Sequence, residues 1–343
     1  MNIQTKPYKA VSFVRSAIEK ALEASGYLIA DTKHDGVRGN ICVDNTANAA
    51  WLSRVSKTIP ALEHLNGFDQ RWQKLLKDDR WIFPDGFMLD GELMVKGVDF
   101  NTGSGLLRTK WLKQSNFEFS TAFVERDWEN PKGKQPFRLS PEKLQVVLYD
   151  IIPLDVIESG DDYNVMTLLR LEHVKVALPI LKAHFPEIDW CLSESHEVYD
   201  MDELDALYRE KREEGHEGLV VKDPQGIYKR GKKSGWWKLK PENEADGVVV
   251  GLNWGTPGLA NEGKVIGFEV LLESGRVVSA NNISQALMEE FTSEVKRQED
   301  EEVNPYHGWA CQIKYMEETP DGSLRHPSFD KWRGTEADPT TKM

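Results

Sequence analysis

The sequence predicts an α+β fold in two domains, the first over residues 1–240 and the second, a small OB-fold β-barrel, over 241–343. Three observations lead to this prediction. Strand-like and helix-like segments interleave through the first domain, as in α+β and α/β proteins. A polar segment that starts with proline, 241–247, is the best candidate for a boundary. After it the pattern changes to short strands with one inserted helix, which suits an OB-fold.

Hydrophobic periodicity predicts the elements of both domains. A helix over 12–26 places its apolar residues on one face, and Ser12 can cap it while Gly26 can end it. A strand, a tight turn and a second strand follow around Lys33, and residues 110–140 have the composition of a loop insertion. The first domain also has a polar helical stretch near 60–80, strands at 86–95, 146–152 and 217–222, and helices at 166–184 and 202–214. The second has strands at 247–254, 263–272, 276–281 and 308–316, and a helix at 284–297.

Composition bounds the class of protein. No apolar stretch in the 343 residues approaches the ~20 needed to span a membrane. The N-terminus, 1–8, is polar and lacks a signal-peptide core. Cys42, Cys191 and Cys311 lie far apart without metal-ligand spacing, which fits a reducing compartment. We therefore expect a cytoplasmic protein without a membrane partner.

The net charge of −13 at first argues against a nucleic-acid partner. Most of the acidity, however, lies in residues 241–343, which carry a net −10, whereas 1–240 carry only −3. A run at 229–240 contains six cations and no acid. Phosphate binding depends on such local patches, so this run is a candidate for phosphate contact. The alternative for any charge run is a solvated face.

Lys33 is the most informative residue because it occupies the corner between two predicted strands, followed by Asp35 and Gly36. A lysine becomes a nucleophile when desolvation or a neighbouring cation lowers its pKa. Arg38 could supply that cation. The alternative is a solvated hairpin lysine, and the short motif alone does not decide between the two.

Carboxylates accompany two other predicted strands. Asp90 and Glu92 are two residues apart and therefore point to the same face, where they could bind a divalent metal or a sugar hydroxyl. Glu217 stands at the lip of the strand that ends in Lys222, a position that fits a metal ligand. The alternatives are an exposed strand face for the pair and a solvated glutamate for Glu217.

Two further candidate positions involve aromatic residues. In the segment 236–240, Lys238 and Lys240 share one strand face with Trp236, while Trp237 and Leu239 face a core. Two ammonium groups on a rigid support suit polyphosphate, because flexible lysines lose entropy on ordering. A further aromatic, Tyr149, could stack on a base, although an isolated aromatic is more often a core residue.

These residues form an ordered series: Lys-x-Asp-Gly-x-x-Arg, Asp-Gly-Glu-Leu, Tyr-Asp, Glu-Gly-Leu-Val-Val-Lys and Trp-Lys-Leu-Lys. The series resembles motifs I, III, IIIa, IV and V of the covalent nucleotidyltransferase superfamily. Segments 36–46, 51–57, 229–241, 325–329 and 333–334 closely resemble the small ATP-dependent DNA ligases of T-seven-like bacteriophages, nearly end to end. The main departure is around 296–304, where the chain looks shortened.

The resemblance implies an ATP-grasp-like adenylation domain and a role for each motif residue. It makes Lys33 the nucleophile that attacks the α-phosphate of ATP, releases pyrophosphate and holds AMP. It assigns Mg²⁺, with Mn²⁺ able to substitute, to Glu217 and more weakly to Asp90. The backbone of Asp31 and Thr32 would read the adenine edge, and Tyr149 would stack on the adenine. Arg38, Arg54 and Glu92 would position the ribose and α-phosphate, with His34 beside the nucleophile. The phosphates would be held by four lysines: Lys222, Lys232, Lys238 and Lys240.

The resemblance further implies that AMP passes to the 5′-phosphate of a DNA nick and that the 3′-hydroxyl then expels it. The expected partner is nicked double-stranded DNA, in replication, repair and recombination. The expected enzyme is a monomer in the cytoplasm of the bacterial host if a phage encodes it. The segment 325–333 is expected to act in the first step only, by closing over the nucleotide.

Two alternatives remain at this point. An RNA ligase or a capping guanylyltransferase of the same superfamily would share the motifs. A non-enzymatic OB-type single-strand-binding protein would explain a basic groove with aromatics, but not the motif around Lys33 or the paired acids.

Overall fold

A computed structural model describes residues 2–113, 134–298, 303–319 and 321–334. The loop insertion predicted at 110–140 and the shortened stretch at 296–304 therefore lie partly outside the described residues. The chain forms two compact units. Unit 1 comprises Met1–Val11, Tyr27–His196 and Lys222–Trp236, and unit 2 comprises Ser12–Gly26, Glu197–Val221 and Trp237–Met343. These units do not follow the boundary predicted at residue 240.

The described strands are β1 Lys9–Ser12, β2 Leu28–Lys33, β3 Val37–Asp44, β4 Asn48–Ser53, β5 Gly67–Phe68, β6 Gly86–Val95, β7 Trp111–Lys113, β8 Lys134–Pro136, β9 Leu144–Pro153, β10 Tyr163–Met166, β11 Asp189–Leu192, β12 Ser195–Val198, β13 Gly218–Lys222, β14 Ile227–Tyr228, β15 Lys232–Leu239, β16 Asn243–Trp254, β17 Val265–Leu272, β18 Val277–Ala280, β19 Ala310–Tyr315, β20 Glu317–Glu318, β21 Leu324–Arg325 and β22 Ser328–Trp332. The α-helices are α1 Arg15–Ser25, α2 Gln70–Leu76, α3 Phe100–Leu107, α4 Leu154–Ser159, α5 Thr167–His184, α6 Met201–Glu213 and α7 Gln285–Lys296, with short 3₁₀ helices at Pro60–Leu65 and Pro141–Lys143. In the described part of the chain, no helix is both long and apolar enough to cross a membrane.

Unit 1 is built on a six-stranded sheet in the order β11-β9-β6-β3-β4-β5. Its strands are buried on both faces because their side chains alternate between two apolar clusters. Ile41 and Leu89 belong to one cluster, which also contains Trp51, Trp72 and Trp190, whereas Cys42 and Met88 belong to the other, with Tyr8, Tyr228 and Trp236. This double coverage holds β3 and β6, which carry the candidate site, in a rigid position.

The corner at Lys33 differs from the predicted hairpin. β2 ends at Lys33 and β3 begins at Val37, as expected, but the two strands lie in different sheets and do not pair. The connection passes close to β6, where a Cβ atom on Gly36 would lie 2.6 Å from Cγ of Glu92 and 2.7 Å from the carbonyl oxygen of Leu93. Glycine is therefore required here, and the connection brings Lys33 toward Glu92.

Unit 2 contains a five-stranded sheet in the order β18-β17-β16-β19-β22, with antiparallel neighbours. Its core is aromatic, with Phe268 and Phe291 in contact with Phe329 and Trp332 of β22. Ser284 caps α7 by accepting a hydrogen bond from the amide of Leu287. The mixed α/β unit and the β-rich C-terminal sheet confirm the predicted fold class, although β22 was not predicted as a strand.

Local differences have simple causes. Ser12 does not cap the first helix, because it ends β1 and the helix begins at Arg15 after Val14. Gly26 ends that helix, as predicted, with φ of 79° and its amide bonded to the carbonyl of Leu22. The helical stretch predicted near 60–80 is a 3₁₀ segment followed by the short helix α2.

Candidate active site

The site in unit 1 is organised by Arg38, which lies opposite Glu92 across the β3–β6 pair. Its Nε and Nη2 atoms donate to the two carboxylate oxygens of Asp90 at 2.6 and 2.7 Å. A third hydrogen bond runs from Nη2 to the carbonyl of Tyr8 at 3.1 Å. Because Asp90 is fully buried, this bidentate pair fixes the guanidinium group rigidly.

Asp90 has no free acceptor site for a metal ion. Asn40 Nδ2 donates to its first oxygen at 2.9 Å, and the hydroxyl of Tyr228 donates to its second at 2.6 Å. Together with the two bonds from Arg38, these donors occupy the roughly four lone-pair positions of a carboxylate. The structure therefore argues against the expectation that Asp90 binds metal, and gives it the role of holding Arg38.

The surroundings of Glu92 in unit 1 shift its pKa strongly. Burial raises its pKa to about 7, and the positive charges of Arg38 and Lys33 oppose that rise. The hydroxyl of Tyr149 donates to its Oε2 at 3.2 Å. A carboxyl whose pKa lies near neutrality beside two cations is typical of a functional site, and the effect of Lys33 places its ammonium group in the same electrostatic cluster.

Tyr149 is flanked by cations. The guanidinium carbon of Arg38 lies 5.0 Å from its ring centre, and Nζ of Lys222 lies 5.5 Å from it. The ring is only partly buried, so it is not an ordinary core aromatic. The hydrogen bond from its hydroxyl to Glu92 fixes the orientation of the Tyr149 ring.

Lys222 is buried, with 2% of its surface exposed, and pairs with Asp31 at 2.6 Å. Its Nζ atom also lies 4.4 Å from the ring centre of Trp236. Asp31 accepts a second hydrogen bond, from Ser195 Oγ at 2.5 Å. Lys222 was expected at a phosphate, whereas the structure places its ammonium group on a carboxylate inside the same cluster.

The strand that carries Lys33 is fastened by the segment 193–195. The amide of Thr32 donates to the carbonyl of Glu194 at 3.0 Å, and its carbonyl accepts from Ser193 Oγ at 3.1 Å. The same hydroxyl lies 3.2 Å from Nε2 of His34. Both neighbours of Lys33 are therefore held, and the Thr32 carbonyl keeps a second lone pair.

Unit 2 contains Glu217, Lys238 and Lys240. Nζ of Lys240 lies 2.6 Å from Oε1 of Glu217, and Nζ of Lys238 lies 2.5 Å from Oε1 of Glu242. Gly218, which follows Glu217, has φ of 149°, and a Cβ atom there would lie 1.9 Å from the carbonyl oxygen of Leu239. Only glycine fits this close approach, so it fixes Glu217 beside the strand that leads to Lys240.

The basic run is not uniformly a phosphate-binding face. Lys232 is exposed, as is Arg54 in the turn after β4. Arg230 is instead buried, with 4% of its surface exposed, and its guanidinium group donates to backbone carbonyls. Trp236 was expected on the cationic face, but it is buried and stacks on Tyr8 at 4.4 Å. Both results follow from contacts with the N-terminal segment, which sequence spacing does not show.

Unit 1 thus brings Lys33, Arg38, Glu92, Tyr149 and the Asp31–Lys222 pair into one cluster. Sequence reasoning missed the residues that support it, which are Tyr8, Asn40, Arg170 and Tyr228. Arg170 donates to the buried carboxylate of Asp150, the residue after Tyr149, at 2.9 Å, although burial raises the pKa of Asp150. None of the four supporting residues belongs to a recognisable motif, so no local signal could have identified them.

Metal binding rests on fewer residues than the sequence suggested. Within the described ranges, no group of three or more His, Cys, Asp or Glu residues could hold a metal ion. Mg²⁺ commonly uses only one or two carboxylates and completes its shell with substrate phosphates and water. Glu217 alone is compatible with that mode, and Asp90 is not.

Two family models match the chain in succession. A model of the ATP-dependent DNA ligase domain matches residues 7–240, which is most of the chain, and a model of the DNA ligase C-terminal domain matches 241–301 and 298–333. The chain belongs to the ATP-dependent DNA ligases.

Individual relatives of this ligase agree over their full lengths. The DNA ligase of Enterobacteria phage T3 is 67% identical over 349 residues, and that of Escherichia phage T7 is 66% identical over 360 residues. Each alignment covers 100% of both chains. The solved structure of the ATP-dependent DNA ligase from bacteriophage T7 in complex with ATP covers 97% of this ligase and 100% of its own chain, with 67% identity and a TM-score of 0.89.

These matches confirm the family resemblance drawn from the motifs. The ligase is an ATP-using enzyme of the bacteriophage type that seals nicks in DNA. An RNA ligase, a capping guanylyltransferase and a non-enzymatic OB-type binding protein are not favoured.

Proposed function

We propose that this ligase seals nicks in double-stranded DNA through an AMP adduct on Lys33. The ε-amine of Lys33 attacks the α-phosphorus of ATP, a P–N bond forms, the P–O bond to pyrophosphate breaks, and the amine proton leaves. The observation that carries the proposal is the position of Lys33 at the end of β2, in one electrostatic cluster with Glu92 and Arg38. Nucleotidyl transfer depends on positioned charge more than on acid–base strength.

The cluster provides a role for each neighbour in that step. Tyr149 presents a fixed ring for adenine, and the backbone of Asp31 and Thr32 borders the same strand. In this proposal Arg38, Arg54 and Glu92 position the ribose and the α-phosphate, and His34 lies beside the nucleophile. The lysines that balance phosphate charge are Lys222, Lys232, Lys238 and Lys240. In this scheme Lys222 leaves Asp31 when a phosphate competes for it.

The later steps transfer AMP to DNA. The 5′-phosphate at the nick attacks the α-phosphorus of the adduct, the P–N bond breaks and Lys33 is regenerated. The 3′-hydroxyl then attacks the 5′-phosphorus, a phosphodiester forms and AMP leaves with the bonding electron pair. The substrate is nicked duplex DNA, and the process serves replication, repair and recombination.

Mg²⁺, with Mn²⁺ as a substitute, completes the proposal. When bound, the ion neutralises the charge that develops on the transferring phosphate. Glu217 is the residue of this chain that would hold it. The carboxylate must then give up Lys240, whose ammonium group becomes available for phosphate. This exchange keeps the local charge balanced before and after ATP binds.

The organisation of the ligase is part of the same proposal. We place the adenylation domain at 1–240 and the OB-fold domain at 241–343, which is supported by the division between the two family models. A monomer is proposed because a single chain carries every motif. A cytoplasmic location, in the bacterial host, is supported by three unpaired cysteines and by the similarity to phage enzymes.

The experiment that tests the proposal uses ATP labelled at the α-phosphate. We expect label to remain on the denatured protein and to be absent from Lys33→Ala, which should still seal pre-adenylated nicks slowly. Lys33→Arg should also fail, because guanidinium stays protonated. Exposed Lys57 provides the control, and Lys57→Ala should label normally. Label on Lys33→Ala equal to that of the parent would exclude Lys33 as the nucleophile.

A further inference from the structure

We propose that four lysines of unit 1, Lys6, Lys9, Lys229 and Lys233, form a surface that binds the backbone of duplex DNA, an inference that rests on the proposed nick-sealing function. We call this group the basic patch. Lys6 and Lys9 come from the N-terminal segment, whereas Lys229 precedes β15 and Lys233 is its second residue, more than two hundred residues later in sequence. Lys232, proposed above at the nucleotide phosphates, directly precedes Lys233 at the start of β15.

Backbone hydrogen bonds join the two segments directly. The amide of Lys9 donates to the carbonyl of Gly231 at 2.9 Å, and the amide of Gly231 donates to the carbonyl of Lys6 at 3.3 Å. Gly231 has φ of 79°, and a Cβ atom there would lie 3.2 Å from Cε of Lys6. The side chain of Lys6 therefore lies beside Gly231, which is between Lys229 and Lys233 in the sequence.

The buried side chain of Arg230 holds these segments together. Its guanidinium group donates to the carbonyls of Gln4, Thr5 and Lys6 in the N-terminal segment, at 2.7–3.0 Å. It also donates to the carbonyls of Val156, Ile157 and Asp161, at 3.2–3.4 Å. A buried cation surrounded by carbonyls ties three stretches of chain together. Because the guanidinium group of Arg230 is buried and donates to carbonyls, contact with phosphate must come from the exposed lysines around it.

The start of β15 is also held by hydrogen bonds, at the carbonyl of Ser234. Nζ of Lys229 donates to the carbonyl of Ser234 at 2.9 Å, and the hydroxyl of Tyr8 donates to the same carbonyl at 2.7 Å. A rigid backbone lowers the entropy that is lost when lysines order on a phosphate chain. Lys6 and Lys233 remain exposed, and Lys9 and Lys229 are partly exposed.

Within the described part of the chain, the four lysines of the basic patch keep their positive charges uncompensated by ion pairs, although Asp162 lies nearby and accepts a hydrogen bond from the amide of Arg230. No described carboxylate forms an ion pair with any of its four lysines, although the chain carries a net charge of −13. Duplex DNA presents one negative charge per ~1.7 Å of axis, and positively charged side chains that face it release counterions. An acidic protein that must hold DNA needs a local surface of this kind.

The exposure of the patch selects DNA over a nucleotide as its ligand. Nucleotide sites are concave and bury most of their ligand, whereas Lys6 and Lys233 are exposed. A backbone contact also carries no base information, which suits an enzyme that accepts any sequence at a nick. Because Lys233 directly follows Lys232, which is proposed above at the nucleotide phosphates, a backbone bound at the patch would run close to the stretch that serves the nucleotide.

The test measures binding of nicked duplex DNA by anisotropy over a range of salt concentrations. We expect Lys6→Ala and Lys233→Ala each to weaken binding equally on two unrelated sequences. Each should also lower the slope of log K against log[salt] by about 1, and the double variant by about 2. Lys74→Ala and Lys77→Ala, exposed lysines elsewhere in unit 1, should leave the slope unchanged. Lys233→Arg should keep the parental slope, since guanidinium also pairs with phosphate.

Each outcome is decisive. A double variant that is folded by thermal unfolding and keeps the parental slope overturns the proposal, and so does one that loses affinity for ATP instead of DNA. If the alanine variants do not fold, Lys6→Gln with Lys233→Gln provides the same charge change with longer side chains. Labelling of the parent protein by ATP tests the proposed function separately, so a failure of the patch leaves that function standing.

Discussion

Asp90 holds Arg38 through both carboxylate oxygens, and the pair is the fixed centre of the candidate site. The guanidinium group, held at 2.6 and 2.7 Å, lies 5.0 Å from the ring centre of Tyr149. Because Asp90 is inaccessible to solvent, it cannot exchange Arg38 for water. The first carboxylate of the Asp-Gly-Glu motif therefore orients a cation, while the second, Glu92, accepts a hydrogen bond from the hydroxyl of Tyr149.

Asp90→Asn should lower self-adenylation by about one to two orders of magnitude, because Arg38 loses its anchor, and the metal dependence should stay unchanged. Removing one charge of a buried pair costs roughly 3–5 kcal/mol of stability, so a lower melting temperature is also expected. Asp85→Asn, at an exposed position, is the control. A shifted Mg²⁺ titration in Asp90→Asn would show that the carboxylate binds metal after all.

The pKa of Glu92 predicts a pH dependence of stability. Burial raises this pKa to about 7 from 4.5, so between those values the folded protein keeps a proton that the unfolded chain has lost. Stability should therefore fall as the pH rises through that interval. Glu92→Gln removes the effect, and its stability relative to the parent should be greater at about pH 8 than at about pH 5.

The size of that difference should be roughly 1–3 kcal/mol, since one pH unit of pKa difference corresponds to about 1.4 kcal/mol. Denaturant unfolding at both pH values measures it, and the exposed Glu142→Gln provides the control. The same variant should adenylate more slowly, because a neutral amide cannot balance Arg38 and Lys33. An equal stability difference at the two pH values would contradict the shifted pKa.

The Glu217–Lys240 pair predicts a competition between metal and ammonium. Glu217→Ala should weaken the dependence of self-adenylation on Mg²⁺ or Mn²⁺ while the protein stays folded. Lys240→Ala should lower the metal concentration needed for half-maximal rate, because the carboxylate no longer has an internal partner at 2.6 Å. Metal titrations of both variants measure this. Identical midpoints in the parent and both variants would remove Glu217 from metal binding.

The residues that could be predicted from sequence are those with a local signature. Lys33 at a strand end, the shared face of Asp90 and Glu92, and the strand that contains Tyr149 all follow from short-range periodicity. The fold class followed from the change of pattern after residue 240. Each of these inferences needs only neighbouring residues, which is why they hold in the structure.

The remaining features depend on contacts between distant segments. Arg230 could not be distinguished from its basic neighbours, because the carbonyls that bury it belong to residues 4–6 and 156–161. Trp236 is buried for the same reason, by Tyr8. The Asp35-Gly36 pair favours a tight turn and predicts a hairpin at the Lys33 corner, but β2 and β3 join different sheets and do not pair.

The segment 325–333, expected to close over the nucleotide, is partly built into the core of unit 2. Residues Ser328–Trp332 form β22, and Phe329 is buried against Phe268. Nη2 of Arg325 lies 2.7 and 2.9 Å from the two carboxylate oxygens of Asp205, to which His326 also bonds. Nε of Arg333 lies 2.9 Å from Oδ1 of Asp246. Both cations expected at the leaving pyrophosphate are therefore paired with carboxylates here.

A role in the first step then requires Arg325 and Arg333 to exchange these carboxylates for phosphate, which is favourable only while the triphosphate is present. We predict that Arg325→Ala with Arg333→Ala lowers self-adenylation by ~2–4 kcal/mol of transition-state stabilisation, or roughly 30- to 1,000-fold. Sealing of pre-adenylated nicks should fall much less, since no pyrophosphate leaves in that step. Arg297→Ala, an exposed arginine at the end of α7, is the matched control. Both rates are measured on one preparation, and equal losses in the two steps would make this segment a structural or DNA-binding element instead of a participant in ATP cleavage.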